Sequence, residues 1–301
     1  LAKKNIGISA VVETDKCNPA WIDSINKMDG VIVPSNHIKQ VILNTGKVTT
    51  NIYVIHEWYY EQIDKDPREI SGLDIDFNTD FNFLAVAQFT GMTPETDRKN
   101  LFNTIKWFCE EFDGDKDVGL VLKTNHGRGT NIDRQITKNV VRQILGSVRN
   151  GDFPKVHLIH GNLSSEEIIS LYRHNKIKSL ISLTRGEGFG LPLLEAAACE
   201  LPVIATNWSA HLDFLGMGKF IPVNYSLKEI DSSKVDNRIF VQGMKWADPV
   251  EKDFKKKIRK FRQKHEIPES WAKDLSEKIR ETFNSSCAKN LYDKVLSEAT
   301  D

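Results

Sequence analysis

The chain has 301 residues, of which 40% are apolar, enough for two domains with sizeable cores. Lys plus Arg number 41 and Asp plus Glu 41, a net charge of zero. That balance argues against a general nucleic-acid-binding or membrane-coating role, while leaving room for a local basic pocket. Cys17, Cys109, Cys199 and Cys287 are scattered without a CxxC pair, which argues against a disulfide framework or zinc site and suits reduced thiols in a cytoplasmic protein. No apolar run approaches the roughly 18 residues of a membrane span, and no signal-peptide pattern is visible; peripheral membrane contact stays open.

The chain opens with Leu1 and enters a strand-like run almost at once, so residues are expected upstream. Strands are expected at 6–12, 31–34, 51–56, 83–88, 119–123, 155–160, 179–183 and 202–205. Helices are expected between them at 19–28, 36–43, 98–111, 133–148, 164–173 and 191–199, with Ser164 and Glu167 forming a capping box. The strands are rich in Val, Ile and Leu without strict alternation, as in a parallel sheet covered on both faces. Repeated β-α-β units predict a doubly wound α/β architecture. A boundary is expected between residues 57 and 80, where 63–80 is acidic and broken by Pro67 and Gly72. Three segments result: 1–80, a partial α/β unit with linker; 81–262, a complete α/β domain; and 263–301, terminal helices packing across both. Residues 252–301 are rich in Lys and Glu at helical spacing, with Pro268 expected as a break.

The most informative stretch runs from residue 182 to 216. A buried strand ends near Leu183, Gly186, Gly188 and Gly190 follow, and a helix begins at Leu191 or Pro192. A glycine loop feeding a helix N-terminus leaves N–H groups free for an anion, at the strand ends where such sheets bind ligands. Glu187 and Glu195 lie eight residues apart, one in the loop and one inside the helix. Carboxylates accept well from vicinal diols, and a nucleotide sugar has hydroxyls at both ends with a diphosphate between. Two ordinary glutamates, one facing a helix dipole and one solvated, is the plain alternative.

The string from Glu187 through Gly188, Phe189, Gly190, Leu191, Pro192, Glu195, Ala196, Ala198, Cys199 and Pro202 to Thr206 resembles the E-x7-E signature of glycosyltransferase family 4, retaining enzymes of the GT-B fold. The resemblance implies a complete Rossmann-like donor domain and, in residues 1–80, the last part of an acceptor-side domain. It implies that Glu187 binds donor-sugar hydroxyls, that the amides of Gly188, Phe189, Gly190 and Leu191 line sugar and phosphate, and that Glu195 holds the ribose diol. Residues 83–100 resemble the first donor-domain strand and its basic loop; Arg98 and Lys99, read as opening the next helix, are assigned to the diphosphate. Lys123 ends a strand on the ligand side and either faces the diphosphate or snorkels. Arg185 either serves the diphosphate or sugar or is an exposed loop arginine. The loop from His160 to Leu163 resembles the one that contacts the base through its backbone. Residues 206–214 match a loop that often reads T-x-x-G-G-x-x-E, with Ser209 and Ala210 at the glycines and Asp213 at the acid.

The implied reaction moves a hexose-type sugar from a UDP- or GDP-linked donor to an acceptor hydroxyl, with retention. Lys99, Arg98 and helix-terminal amides would stabilise the departing diphosphate. No metal and no cofactor are expected, since the donor is a substrate and Asp74-Ile-Asp76 lies in the linker. The partners are therefore the nucleotide sugar and a carbohydrate, lipid or protein acceptor. A sugar phosphorylase, a sugar-nucleotide epimerase and a silent nucleotide-binding module are the competing readings.

Overall fold

The computed structural model describes residues 4–300, built on two parallel sheets. The first contains β1 (Ile6–Ile8), β2 (Gly30–Val33) and β3 (Ile52–Val54), in that order, with α1 (Ala20–Ile25) and α2 (Asn36–Thr45) in the connections. β2 is central and buried throughout, as its unbroken apolar sequence requires. At the start of α2, Ser35 accepts a hydrogen bond from the Ile38 amide at 3.1 Å, and Ile38, Val41 and Ile42 form its buried stripe.

The second sheet has β4 (Phe81–Val86), β5 (Val118–Thr124), β6 (Lys155–His160), β7 (Ile177–Ser182), β8 (Val203–Thr206) and β9 (Ile221–Val223). Helices α3 (Leu101–Glu111), α4 (Asn131–Val148), α5 (Ser165–Tyr172), α6 (Leu191–Ala198) and α7 (Leu212–Leu215) join them. The spatial order β6-β5-β4-β7-β8-β9, all parallel, is the doubly wound order in which the direction of winding reverses between β4 and β7. The capping box of α5 forms as the sequence predicts, Ser164 taking the Glu167 amide at 3.1 Å and Glu167 the Ser164 amide at 2.7 Å.

An antiparallel pair, β10 (Tyr225–Glu229) and β11 (Lys245–Pro249), follows, and then α8 (Glu251–Gln263), α9 (Glu266–Thr282) and α10 (Ser285–Thr300). α8 covers the second sheet through Phe254, Ile258 and Phe261. α10 returns to the first sheet, where Val295 packs with Ile32 and Ile55. Among the described residues no helix is long and apolar enough to cross a membrane.

Several expected elements shift. The first strand stops at Ile8 rather than residue 12, because Val11 has φ 50° and turns the chain away. β9, β10 and β11 have no counterpart among the expected strands. Pro268 does not break a helix: it lies in the first turn of α9, where its missing N–H costs nothing.

The two sheets meet at their carboxyl ends. The loop after β2 gives Ser35, whose hydroxyl donates to the Gly188 carbonyl at 3.0 Å. The Asn36 amide donates to Asp213 Oδ2 at 2.7 Å, and the Lys245 amide to Asp15 Oδ1 at 2.6 Å.

Candidate active site

A cleft of about 580 Å³ opens where the loops after β4 and β7 diverge. Such a reversal point is where a doubly wound sheet leaves a crevice. Gln88, Thr90, Arg98 and Lys99 line it from the loop after β4; Lys123, Thr124 and Asn125 from the end of β5; and Asn162 and Leu163 from the loop after β6. Leu191, Pro192 and Glu195 come from α6, Tyr172 from α5 and Tyr60 from the linker.

One buried carboxylate shapes the basic loop. Asp97 accepts from the Thr90 amide at 2.9 Å, the Thr90 hydroxyl at 2.8 Å and the Leu101 amide at 2.7 Å. Asn100 takes a left-handed conformation, φ 57°, so α3 begins at Leu101. Arg98 and Lys99 therefore do not open the helix, as the sequence reading has it; they stand in the turn before it, aimed across the cleft. Lys99 Nζ donates to Glu187 Oε1 and Oε2 at 2.6 and 2.7 Å. Arg98 donates to the Gly186 carbonyl at 2.5 Å, and its other terminal nitrogen lies 3.1 Å from Glu13 Oε1.

Glu187 is 5% exposed. Burial alone would raise its carboxyl pKa, but Lys99 and Arg98 beside it hold it below the ordinary value, so it is a carboxylate at neutral pH. Its backbone is braced by Ser209, whose hydroxyl accepts from the Glu187 amide at 2.6 Å and donates to its carbonyl at 2.8 Å. Ser209 stands at a position expected to be glycine and keeps a glycine-like φ of 98°. A side chain here costs strain and adds two hydrogen bonds.

Glu195 lies one turn into α6 and is 6% exposed. Burial pushes its carboxyl up to about 7, moderated by the Tyr172 hydroxyl, which donates to Oε2 at 3.1 Å. Lys123 Nζ donates to the Gly161 carbonyl at 2.7 Å and, among the described residues, has no carboxylate partner; burial lowers its pKa. Asn125 donates to Asn162 at 2.7 Å, joining the ends of β5 and β6 at the rim.

Arg185 is turned away from the cleft, while Phe189 and Gly188, read for their backbone amides, have their ring and carbonyl engaged in packing. Arg185 is 5% exposed, with its guanidinium engaged away from the cleft. It donates to the Pro94 and Asp97 carbonyls at 2.6 and 2.8 Å and to Asp248 at 3.0 and 3.1 Å, with its face 5.5 Å above Trp246. It clamps the basic loop to β11. The Phe189 ring is buried and packs against His56, Phe214 and Phe283. Gly188 turns its carbonyl to Ser35. Asp213 holds Asn36, and Asp76 pairs with Lys176 at 2.8 Å, outside the cleft.

The glycines also divide their work. A Cβ on Gly186 would collide with the Glu13 carbonyl oxygen, so this glycine admits a backbone from the first sheet. Gly190 has φ 103° and turns the chain into α6, whose first residue Leu191 is half exposed to the cleft. The sequence reading missed Glu13, Tyr60, Asp97, Tyr172 and Ser209. Only Ser209 carried a signal, as a replaced glycine in the 206–214 pattern.

With the geometry in place, the comparisons fit it. Residues 150–273, which contain Glu187 and Glu195, match the family model described as glycosyl transferases group 1. A 43-residue stretch is 51% identical to the serotype-specific mannosyltransferase WbdA of Escherichia coli, covering 14% of this chain and 5% of that protein. The fold resembles a glycosyltransferase from Rickettsia africae, with TM-score 0.70 and 15% identity over 98% of this chain and 70% of that one. It also resembles S. aureus TarM solved with fondaparinux, alpha-GlcNAc-glycerol and UDP (0.63, 15%, 98% and 50%). The pneumococcal O-GlcNAc transferase GtfA with UDP and GlcNAc is similar too (0.59, 14%, 98% and 52%). The chain thus spans about half of the TarM and GtfA chains. The fold is that of the GT-B glycosyltransferases, and the part of it that carries both glutamates is the part that matches the group 1 glycosyl transferase model.

Proposed function

We propose that this chain carries the donor site of a retaining glycosyltransferase, which moves a hexose-type sugar from a UDP- or GDP-linked donor to an acceptor hydroxyl. The observation that carries this reading is that Lys99, Arg98 and Lys123 line one cleft with Glu195, while Lys99 also holds the buried Glu187 beside it. Glu195, with Tyr60 and Tyr172 beside it, suits a ribose diol. The three cations and the amides opening α6 suit a diphosphate. Glu187 suits sugar hydroxyls.

In that assignment, negative charge grows on the departing diphosphate as the anomeric bond stretches. Lys99, Arg98 and Lys123 are fixed where that charge develops, so little reorganisation is needed. Neither a protein nucleophile nor a metal has a part in this reading; a leaving phosphate oxygen takes the acceptor proton. The segment shared with WbdA supports a mannosyl donor, and the UDP complexes of TarM and GtfA support a uridine one. GDP-mannose and UDP-GlcNAc are therefore the first donors to test.

Calorimetric titration with UDP, GDP and ADP, without metal, tests the reading. One nucleotide should bind selectively, and Glu195→Ala and Lys99→Ala should each weaken it by about tenfold or more. A well-folded chain that binds none of them would overturn the assignment.

A further inference from the structure

Arg98 is shared between the two sheets. One terminal nitrogen donates to the Gly186 carbonyl and lies 3.8 Å from Glu187; the other lies 3.1 Å from Glu13, in the loop after β1. The Glu13 loop has an unusual backbone. Val11, a β-branched residue, holds φ 50°, a conformation that costs energy and persists only when its surroundings enforce it. The Ser9 hydroxyl accepts from the Val11 amide at 3.0 Å, and the missing side chain of Gly186 lets the Glu13 carbonyl settle against the glycine loop. The Glu13 side chain is 28% exposed and that of Arg98 17%, so solvent reaches the pair, and Arg98 also lines the cleft.

The other two cations of the cleft are placed differently. Lys99 is held by the buried Glu187, and Lys123 by a carbonyl alone. Arg98 is thus the cation whose carboxylate partner comes from the other sheet and can move without exposing a buried charge. An incoming diphosphate offers Arg98 a bidentate partner with more charge than one carboxylate.

We propose that Glu13 is a further residue of the donor site: its carboxylate competes for Arg98, and the donor's diphosphate displaces it, freeing the first sheet's loop from that contact. This rests on the reading of the cleft as a nucleoside-diphosphate site. Glu13 is a competitor for the guanidinium in this scheme and acts on the donor only through Arg98.

The sign of one effect separates this from a merely structural role. Calorimetry on the full chain would compare wild type, Glu13→Gln and Glu13→Asp, using UDP and GDP against uridine and guanosine. Removing the competing carboxylate should tighten the diphosphate by about 3- to 10-fold and leave the nucleoside unchanged. Glu13→Asp, which keeps the charge but shortens the reach, should show the same sign at smaller size, and covers the case where the glutamine variant folds poorly. Equal or weaker diphosphate binding by variants that melt like wild type would overturn the proposal. Failure of the wild type to bind either nucleotide is a separate outcome, and removes the donor-site reading on which the proposal stands.

Discussion

The two glutamates at either end of the E-x7-E string answer the same problem in opposite ways. Glu187 and Glu195 are equally buried, at 5% and 6% exposure, and eight residues apart. Glu187 keeps its charge because two cations stand against it; Glu195, met only by a tyrosine hydroxyl, is pushed up to about 7. Glu195 lines the cleft and Glu187 lies behind the cations that line it, and the partners decide which is ionised.

Removing Lys99 should have the largest effect. Lys99→Met leaves Glu187 buried with Arg98 at 3.8 Å, and should cut kcat/KM on the order of 100-fold or more while destabilising the fold by about 3 kcal/mol. Adding Glu187→Gln to it should restore much of the melting temperature but none of the turnover. Because the Glu187 pKa is depressed, its stabilisation is present above the ordinary carboxylate range and lost as pH falls through the folded value. The double variant should therefore lose less stability than wild type in acid denaturation.

At the other end the sign reverses. The Glu195 pKa is raised, so its relative stabilisation is full below the unfolded carboxylate range and is lost as pH rises toward about 7. Glu195→Gln should raise stability at pH 8 relative to pH 5 by about 1–3 kcal/mol, seen in denaturant melts, while weakening nucleotide binding. If wild-type nucleotide affinity rises with pH through 7 and the variant's does not, the diol assignment gains; identical profiles would remove Glu195 from it.

Arg185 gives a third case, a buried cation with a structural task. Arg185→Lys cannot reproduce its four bonds and should cost about 2–3 kcal/mol, with a smaller, indirect loss of nucleotide affinity through the loosened basic loop. The smallest effect should come from Ser209→Gly, which relieves a strained φ while removing two bonds to Glu187; stability should change by less than about 1 kcal/mol. A modest fall in turnover, without a fall in nucleotide affinity, would place the brace on the sugar end.

Much of this was legible in the chain itself. β4, β5, β7 and β8 are largely buried and stand out as short apolar runs, and the alternation of strand and helix gives the doubly wound architecture. The β10–β11 pair was not legible, because β10 is almost wholly exposed and β11 includes Asp248 and Pro249. The glutamates could be placed by their motif, but the direction of a loop side chain could not: Phe189 sits in the same string and turns into an aromatic core. Glu13 and Arg98 are 85 residues apart and Arg185 and Asp248 63, and a pairing over such separations leaves no local trace. Asp97 gave no signal because its three bonds depend on the loop already being folded.

The return of α10 to the first sheet has a mechanical consequence. The chain passes between the two sheets twice, near residues 55–60 and again at 283–285, and the passages touch where the Tyr59 amide donates to the Phe283 carbonyl at 3.3 Å. Two straps fastened side by side are expected to act as a door hinge: any swing of the mouth would turn about one line, and a twist carrying Glu13 sideways off Arg98 would be resisted.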